Sequence, residues 1–304
     1  MEQVALLIAA TLSAGTPLLL AGIGLLVNER AGVVNLGAEG IMLIAAAAGF
    51  AAGFHSGSLL VALAAGAFAG VAVSLVFAAL AVGLATNQYA TGLAIALGGA
   101  GLSAFFGLPY VGKSVPFKTT FEVPGLAELP FVGPAFFKLH PMVVFALLLT
   151  AATAWFLART RAGLVVRAVG ESPESAHAIG LPVRAIRVAA VAWGGACCGL
   201  AGAYLSCLYT PLWVEGMVAG RGWIALALTT FATWRAWRVA LGAYLFGSVT
   251  MVQFALQSEG VEIPSQWLAM LPYLATIVVL ALISRNPAFI RINMPASLGK
   301  PFRP

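Results

Sequence analysis

The chain has 304 residues, of which 61% are hydrophobic and 9% charged, and its formal net charge is +6. A soluble domain carries about 25% charged residues, so a water-exposed globule is excluded, and apolar stretches of about 20 residues recurring from end to end mark transmembrane helices. The basic excess sits in short clusters beside those stretches, the pattern of membrane topology rather than of a nucleic-acid surface, so no nucleic-acid partner is expected and lipid is the surrounding medium.

In chain order, nine apolar spans are predicted, near residues 5–27, 33–53, 59–83, 90–108, 141–158, 188–209, 222–234, 239–256 and 268–284. The start, Met1-Glu2-Gln3, lacks a basic n-region, so the first span is expected to stay in the membrane. Spans 33–53 and 222–234 are short or interrupted by glycine, which suits a broken or re-entrant helix. The expected architecture is an all-α polytopic transmembrane bundle of about nine spans, with eight to ten allowed, forming a single domain over 1–304. Residues 109–140 form a Pro- and Gly-rich loop. Residues 159–187 form a basic, helix-capable one. With 159–187 cytoplasmic, twelve Lys and Arg lie inside and only Lys113, Lys118, Lys138 and Arg221 outside. The N-terminus is then outside and the C-terminus cytoplasmic.

The chain has no aspartate, and its cysteines, Cys197, Cys198 and Cys207, share one span without a metal-binding spacing, so no metal site is expected and the cysteines read as small buried apolar residues. Gly107-Leu-Pro-Tyr-Val-Gly112-Lys113-Ser114 matches a phosphate-loop pattern. That chemistry needs a strand before the loop and a helix after it. Here a membrane helix precedes it, Pro116 follows, and no aspartate exists to hold Mg²⁺. ATP and Mg²⁺ are therefore expected on another chain.

Three polar stretches are candidates for function. In Asn28-Glu29-Arg30-Ala-Gly32-Val-Val-Asn35-Leu-Gly37-Ala-Glu39-Gly40, Glu39 is either an intramembrane carboxylate beside a solute path or an interfacial cap, and Asn35 accompanies it. In Thr86-Asn87-Gln88-Tyr89-Ala-Thr91, the residues Asn87, Gln88 and Thr91 either line the path or form a turn and helix cap. The third, Glu171-Ser172-Pro173-Glu174-Ser175-Ala176-His177-Ala178-Ile179-Gly180, has an N-cap serine, proline at the first helical position, an early glutamate and a terminal glycine. A short capped helix over 171–180 that presents side chains on the cytoplasmic face is a docking element. Its expected contact residues are Glu171, Ser172, Pro173, Glu174, Ala176, His177 and Gly180. Late in the chain, Trp223, Trp234 and Trp237 fit interfacial anchors. His55, His140 and His177 lie scattered in or beside loops, so no catalytic set is expected.

Four blocks together carry a family resemblance: NERAGVVNLGAEGIML, NQYATGLAIALGGAGLSAFFG, RAVGESPESAHAIGLPVRAIR and GRGWIALALTTFATWRAWRVALGAYLFG. They resemble, in the same order, the membrane subunits of ABC importers in the branched-chain amino acid, ribose and nucleoside permease superfamily. The shorter permease of nucleoside (simple-sugar) systems is the nearest likeness. The resemblance implies a pathway-forming permease in a bacterial plasma membrane, with no catalytic residue of its own. It further implies a second homologous permease, a cytoplasmic ABC ATPase that carries ATP and Mg²⁺, and an extracytoplasmic substrate-binding protein. Nucleosides are the implied solutes; simple sugars, purine bases, a vitamin and branched-chain amino acids are the alternatives. Two departures bear on the solute: Ala96 stands where the family usually has Asn, and Ala232 where it often has Gly. An ion-coupled secondary transporter is the rival class, and it would need more intramembrane ion ligands than Glu39 alone.

Overall fold

The computed structural model describes residues 2–117, 138–258 and 293–303, with a few single positions between 267 and 281. Ten α-helices run through the described residues: α1 (Glu2–Arg30), α2 (Ala38–Ser56), α3 (Leu59–Ala78), α4 (Gln88–Gly107), α5 (Pro141–Arg159), α6 (Arg161–Glu171), α7 (Pro173–Ala178), α8 (Val183–Tyr204), α9 (Arg221–Phe231) and α10 (Ala236–Ser258). Seven of them, α1–α5, α8 and α10, are long and apolar enough to cross a membrane. The predicted span 222–234 is instead the 11-residue α9. At 1.5 Å per residue it reaches about 16 Å, roughly half of a 30 Å hydrocarbon core. The predicted span 268–284 lies largely outside the described residues, as does most of the 109–140 loop.

α1 and α8 form the centre. Leu18–Leu26 of α1 pack in one buried cluster with Ile41–Phe50 of α2, Cys198–Leu208 of α8 and its continuation, Ile224–Leu228 of α9 and Ala236–Phe246 of α10. The three cysteines are free and buried, Cys198 and Cys207 in that cluster, as small apolar residues would be. α3 lies against α8 through glycines: a Cβ on Gly70 would collide with the Gly195 carbonyl, and one on Gly199 with the Gly66 carbonyl. Small residues let backbones come this close where lipid gives helices no hydrophobic reason to associate.

Where the described helices are interrupted, backbone groups find partners inside the protein, as a membrane requires. Pro17 lies inside α1 and has no N–H for the Ser13 carbonyl. The hydroxyl of buried Tyr204, on α8, donates to that carbonyl at 3.2 Å. Between α1 and α2, residues 31–37 are non-helical and almost wholly buried. Here the Val34 N–H donates to Gln88 Oε1 at 2.8 Å, and the Gly37 N–H to Asn35 Oδ1 at 2.9 Å. That Asn35 turn is why the second span begins at Ala38 rather than near residue 33.

Candidate functional site: a half-length helix held by two glutamates, and a capped helix beneath it

After Tyr209 the chain runs without helix to Gly220, whose φ of +81° suits glycine, and α9 starts there. Its first turn meets α2. Glu39 accepts the Gly220 N–H on Oε1 at 2.8 Å and the Gly222 N–H on Oε2 at 2.7 Å. A carboxylate at a helix N-terminus satisfies otherwise unpaired N–H groups and matches the positive end of the helix dipole. Gly222 has to be glycine, because a Cβ there would strike the Glu39 backbone. Glu39 is half-buried. Ala96 of α4 is buried against Gly40, one residue on, so the missing Asn side chain lies beside this contact.

The other end of α9 meets α1. Glu29 is 3% exposed and accepts from Thr229 Oγ1 at 2.7 Å and from Trp234 Nε1 at 2.6 Å. Arg30 donates through Nε and Nη2 to the Trp234 carbonyl, at 3.1 and 2.7 Å. Thr233 and Trp234 both have left-handed backbones, with φ of +47° and +55°, a conformation costly for non-glycine residues. The Glu29 and Arg30 contacts fix that turn. Trp234 is therefore a buried donor and not the interfacial anchor expected from the sequence; Trp223 and Trp237 stay exposed. Glu29 is the residue that sequence reasoning passed over. Its signal was a carboxylate in the last turn of an apolar span.

The remaining path candidates divide. Gln88 and Asn35 are buried and hold the 31–37 segment. Asn87 caps α4, accepting the Tyr89 and Ala90 N–H groups, and Thr91 shares a hydroxyl contact with Thr86 at 2.9 Å. Asn87 and Thr91 thus have the geometry of the turn-and-cap alternative.

α6 and α7 lie at the end of the bundle where Arg30, Arg187 and Lys300 gather. Lys113 sits at the opposite end, against Phe54 and Tyr110. It belongs to the Gly107–Ser114 stretch, and no helix follows within residues 111–117. Ser172 caps α7 by accepting the Ser175 N–H, with Pro173 at the first helical position. At the other end the Gly180 N–H donates to the His177 carbonyl and the Leu181 N–H to Ala176, with Gly180 at φ +86°. This paired pattern is a Schellman cap and needs a left-handed residue where Gly180 sits. So the predicted single helix over 171–180 is a six-residue helix closed at both ends, preceded by α6. Pro173 and Ala176 are buried and hold α7 to the body, whereas Glu171, Glu174, His177 and Gly180 are exposed. Ile179, which the sequence reading did not single out, is 77% exposed.

A family model described as branched-chain amino acid transport system / permease component matches residues 7–283. The chain is 41% identical to a putative glucose ABC transporter permease of Haloferax volcanii, over 96% of this chain and 95% of that one. It is 33% identical to a nucleoside ABC transporter permease of Lactococcus lactis, covering 91% and 92% of the two chains. It is 30% identical to a guanosine ABC transporter permease of Bacillus subtilis, covering 99% and 97%. No solved structure matches at a significant level.

Proposed function

The chain belongs to the family of branched-chain amino acid transport permeases, and from that premise we propose that it forms the solute pathway of an ATP-driven importer of nucleosides. The observation that carries this reading is full-length similarity to permeases of one transporter type, two of them for nucleosides. The 41% identical relative, a putative glucose permease, favours a second reading: a sugar as the solute. The two solute classes share a polyol ring, which a pathway can recognise with hydrogen bonds, and they differ in the aromatic base.

In this reading the chain is one membrane domain and breaks no bond. α7 with Ile179 is the contact for a cytoplasmic ABC ATPase, which binds ATP and Mg²⁺. Two capped ends make six residues rigid enough to transmit force, and the exposed Ile179 gives a partner an apolar knob. A second homologous permease completes the pore, and an extracytoplasmic binding protein delivers solute. α9 is the discontinuous element of the path: interrupted helices in transporters place backbone polar groups and helix ends at the substrate's depth. Glu39, at the half-buried end, is the residue best placed to sense solute. The C-terminus is cytoplasmic and the membrane is the plasma membrane.

Uptake of labelled guanosine in cells that depend on this chain, with unlabelled adenosine, uridine, hypoxanthine, ribose, glucose and leucine as competitors, tests the solute. Competition by nucleosides alone is expected. Competition by glucose or ribose alone moves the solute to the sugar class.

A further inference from the structure

The described C-terminal residues do not hang free. They lie between α6–α7 and the α1–α2 connection, and bond to both. The Ser297 N–H donates to the Gly170 carbonyl at 3.0 Å, and the Ser297 hydroxyl to the same carbonyl at 2.7 Å. The Ala296 N–H faces Glu171 Oε2 at 3.4 Å. Phe302 is buried with Val169, Ala176 and Val183, and its ring meets the His177 ring edge-on at 5.7 Å. On the other side, the Gly299 N–H donates to the Gly32 carbonyl at 3.2 Å, and the Gln88 amide to the Lys300 carbonyl at 3.4 Å. The Arg30 guanidinium bridges the Asn293 carbonyl, at 3.2 Å, and the Trp234 carbonyl that closes α9.

Arg187 joins these groups. It is 1% exposed and carries a charge that burial makes costly unless its donors are met. Three are met from two segments: Nε by the Ala31 carbonyl at 3.1 Å in the α1–α2 connection, and Nη1 and Nη2 by the Lys300 carbonyl and the Ser297 hydroxyl, each at 3.1 Å, in the C-terminal residues. A planar guanidinium holds such partners in a fixed mutual geometry, which a lysine cannot.

We propose that residues 293–303 are a strap that carries movement of α6–α7 to the α1–α2 connection and the closing turn of α9, with Arg187 and Ser297 as its positioning residues. The proposal rests on the reading of α7 as the ATPase contact. α6 also touches the end of α1 directly, with Gly170 against the Arg30 carbonyl and Val166 against Val27 and Ala31; the strap adds a hydrogen-bonded route to Gly32, Gln88 and the closing turn of α9. With it, a displaced α7 pulls on Gly170, Ser297, Arg187 and Ala31 in turn, through groups that are buried and bonded at each step.

The test uses the whole importer in proteoliposomes with Arg187→Gln, Ser297→Ala and Ser297→Thr, read as ATPase co-purification, ATP hydrolysis and solute uptake per ATP hydrolysed. Ser297→Ala removes one hydroxyl and leaves the backbone bond to Gly170, so the fold is kept should Arg187→Gln prove unstable. The expected result is normal co-purification and hydrolysis with uptake per ATP down roughly tenfold, within the range of coupling between sites, and recovery in Ser297→Thr. Unchanged uptake in Ser297→Ala, or loss of co-purification in step with uptake, overturns the strap. Glu174→Ala with Ile179→Ser tests the contact reading separately: if that pair keeps the ATPase bound, the contact reading fails, whatever the strap variants do.

Discussion

The two ends of α9 are held by the same side chain in opposite ways. At its start, Glu39 is half-buried and takes two backbone N–H groups. At its end, Glu29 is buried and takes two side-chain donors. Backbone donors at a helix start are offered by any sequence, and water can replace a half-buried acceptor. The Trp234 indole, in a buried turn, is out of the reach of water. The comparison therefore assigns Glu29 to architecture, while Glu39 caps a helix start that water can also reach.

The variant with the largest expected effect is Glu29→Ala. It strands the Trp234 indole N–H, at about 1–3 kcal/mol for a buried donor left unpaired, while the Thr229 hydroxyl keeps the Leu226 carbonyl 2.7 Å away. Thermal unfolding in detergent should show a strong loss of stability and little folded protein. Were this variant as stable as the parent, the assignment to architecture would be wrong. Glu39→Gln comes next. It keeps one acceptor and removes the charge from the helix start, a loss of about 0.3–1 kcal/mol in stability. Solute affinity or transport rate should nevertheless fall; unchanged transport returns Glu39 to a cap. Thr229→Val sharpens the Glu29 end, since it removes one donor while the indole remains, at about 1 kcal/mol in the same unfolding assay.

The smallest effect sets the pH background for reading these variants. His140 accepts the Met142 N–H on Nδ1 at 3.0 Å, and burial holds its pKa below the ordinary 6.5. A folded pKa below the unfolded one means that the unfolded chain binds the proton first, so stability is intact above pH 6.5 and falls as pH drops below it. Melting at pH 7.5 and at pH 5.5 should show that loss, and His140→Asn, which retains an N-cap acceptor, should reduce it.

Much of this was legible in the sequence because it is local. Ser172, Pro173 and Gly180 announce α7 through capping and turn chemistry within ten residues, and the structure has those caps. Long apolar stretches announce the seven helices long and apolar enough to cross a membrane. What escaped is non-local. Nothing near Glu29 in sequence shows that Thr229 and Trp234, some 200 residues away, will meet it. Trp234 has the composition of an interfacial anchor until a buried carboxylate takes its N–H. Arg187 looks like one more topology-setting arginine, and only the fold reveals two distant segments converging on it. Span 222–234 came out as the helix Arg221–Phe231, stopped by the left-handed turn at Thr233 and Trp234 that Glu29 and Arg30 hold from a distance.

In the proposed mechanism, ATP bound on a partner drives solute through this chain by way of α7. The direct measurement is uptake in proteoliposomes that hold the complete importer, with ATP inside or outside the partner's compartment, with and without ionophores, for the parent chain and for Gly180→Ala. Alanine at φ +86° costs roughly 1–2 kcal/mol and opens the α7 cap without touching the bundle. The predicted result is uptake that needs ATP, ignores ionophores and collapses in Gly180→Ala while the protein stays in the membrane. Uptake that proceeds without ATP on an ion gradient, or that is normal in Gly180→Ala, would contradict it.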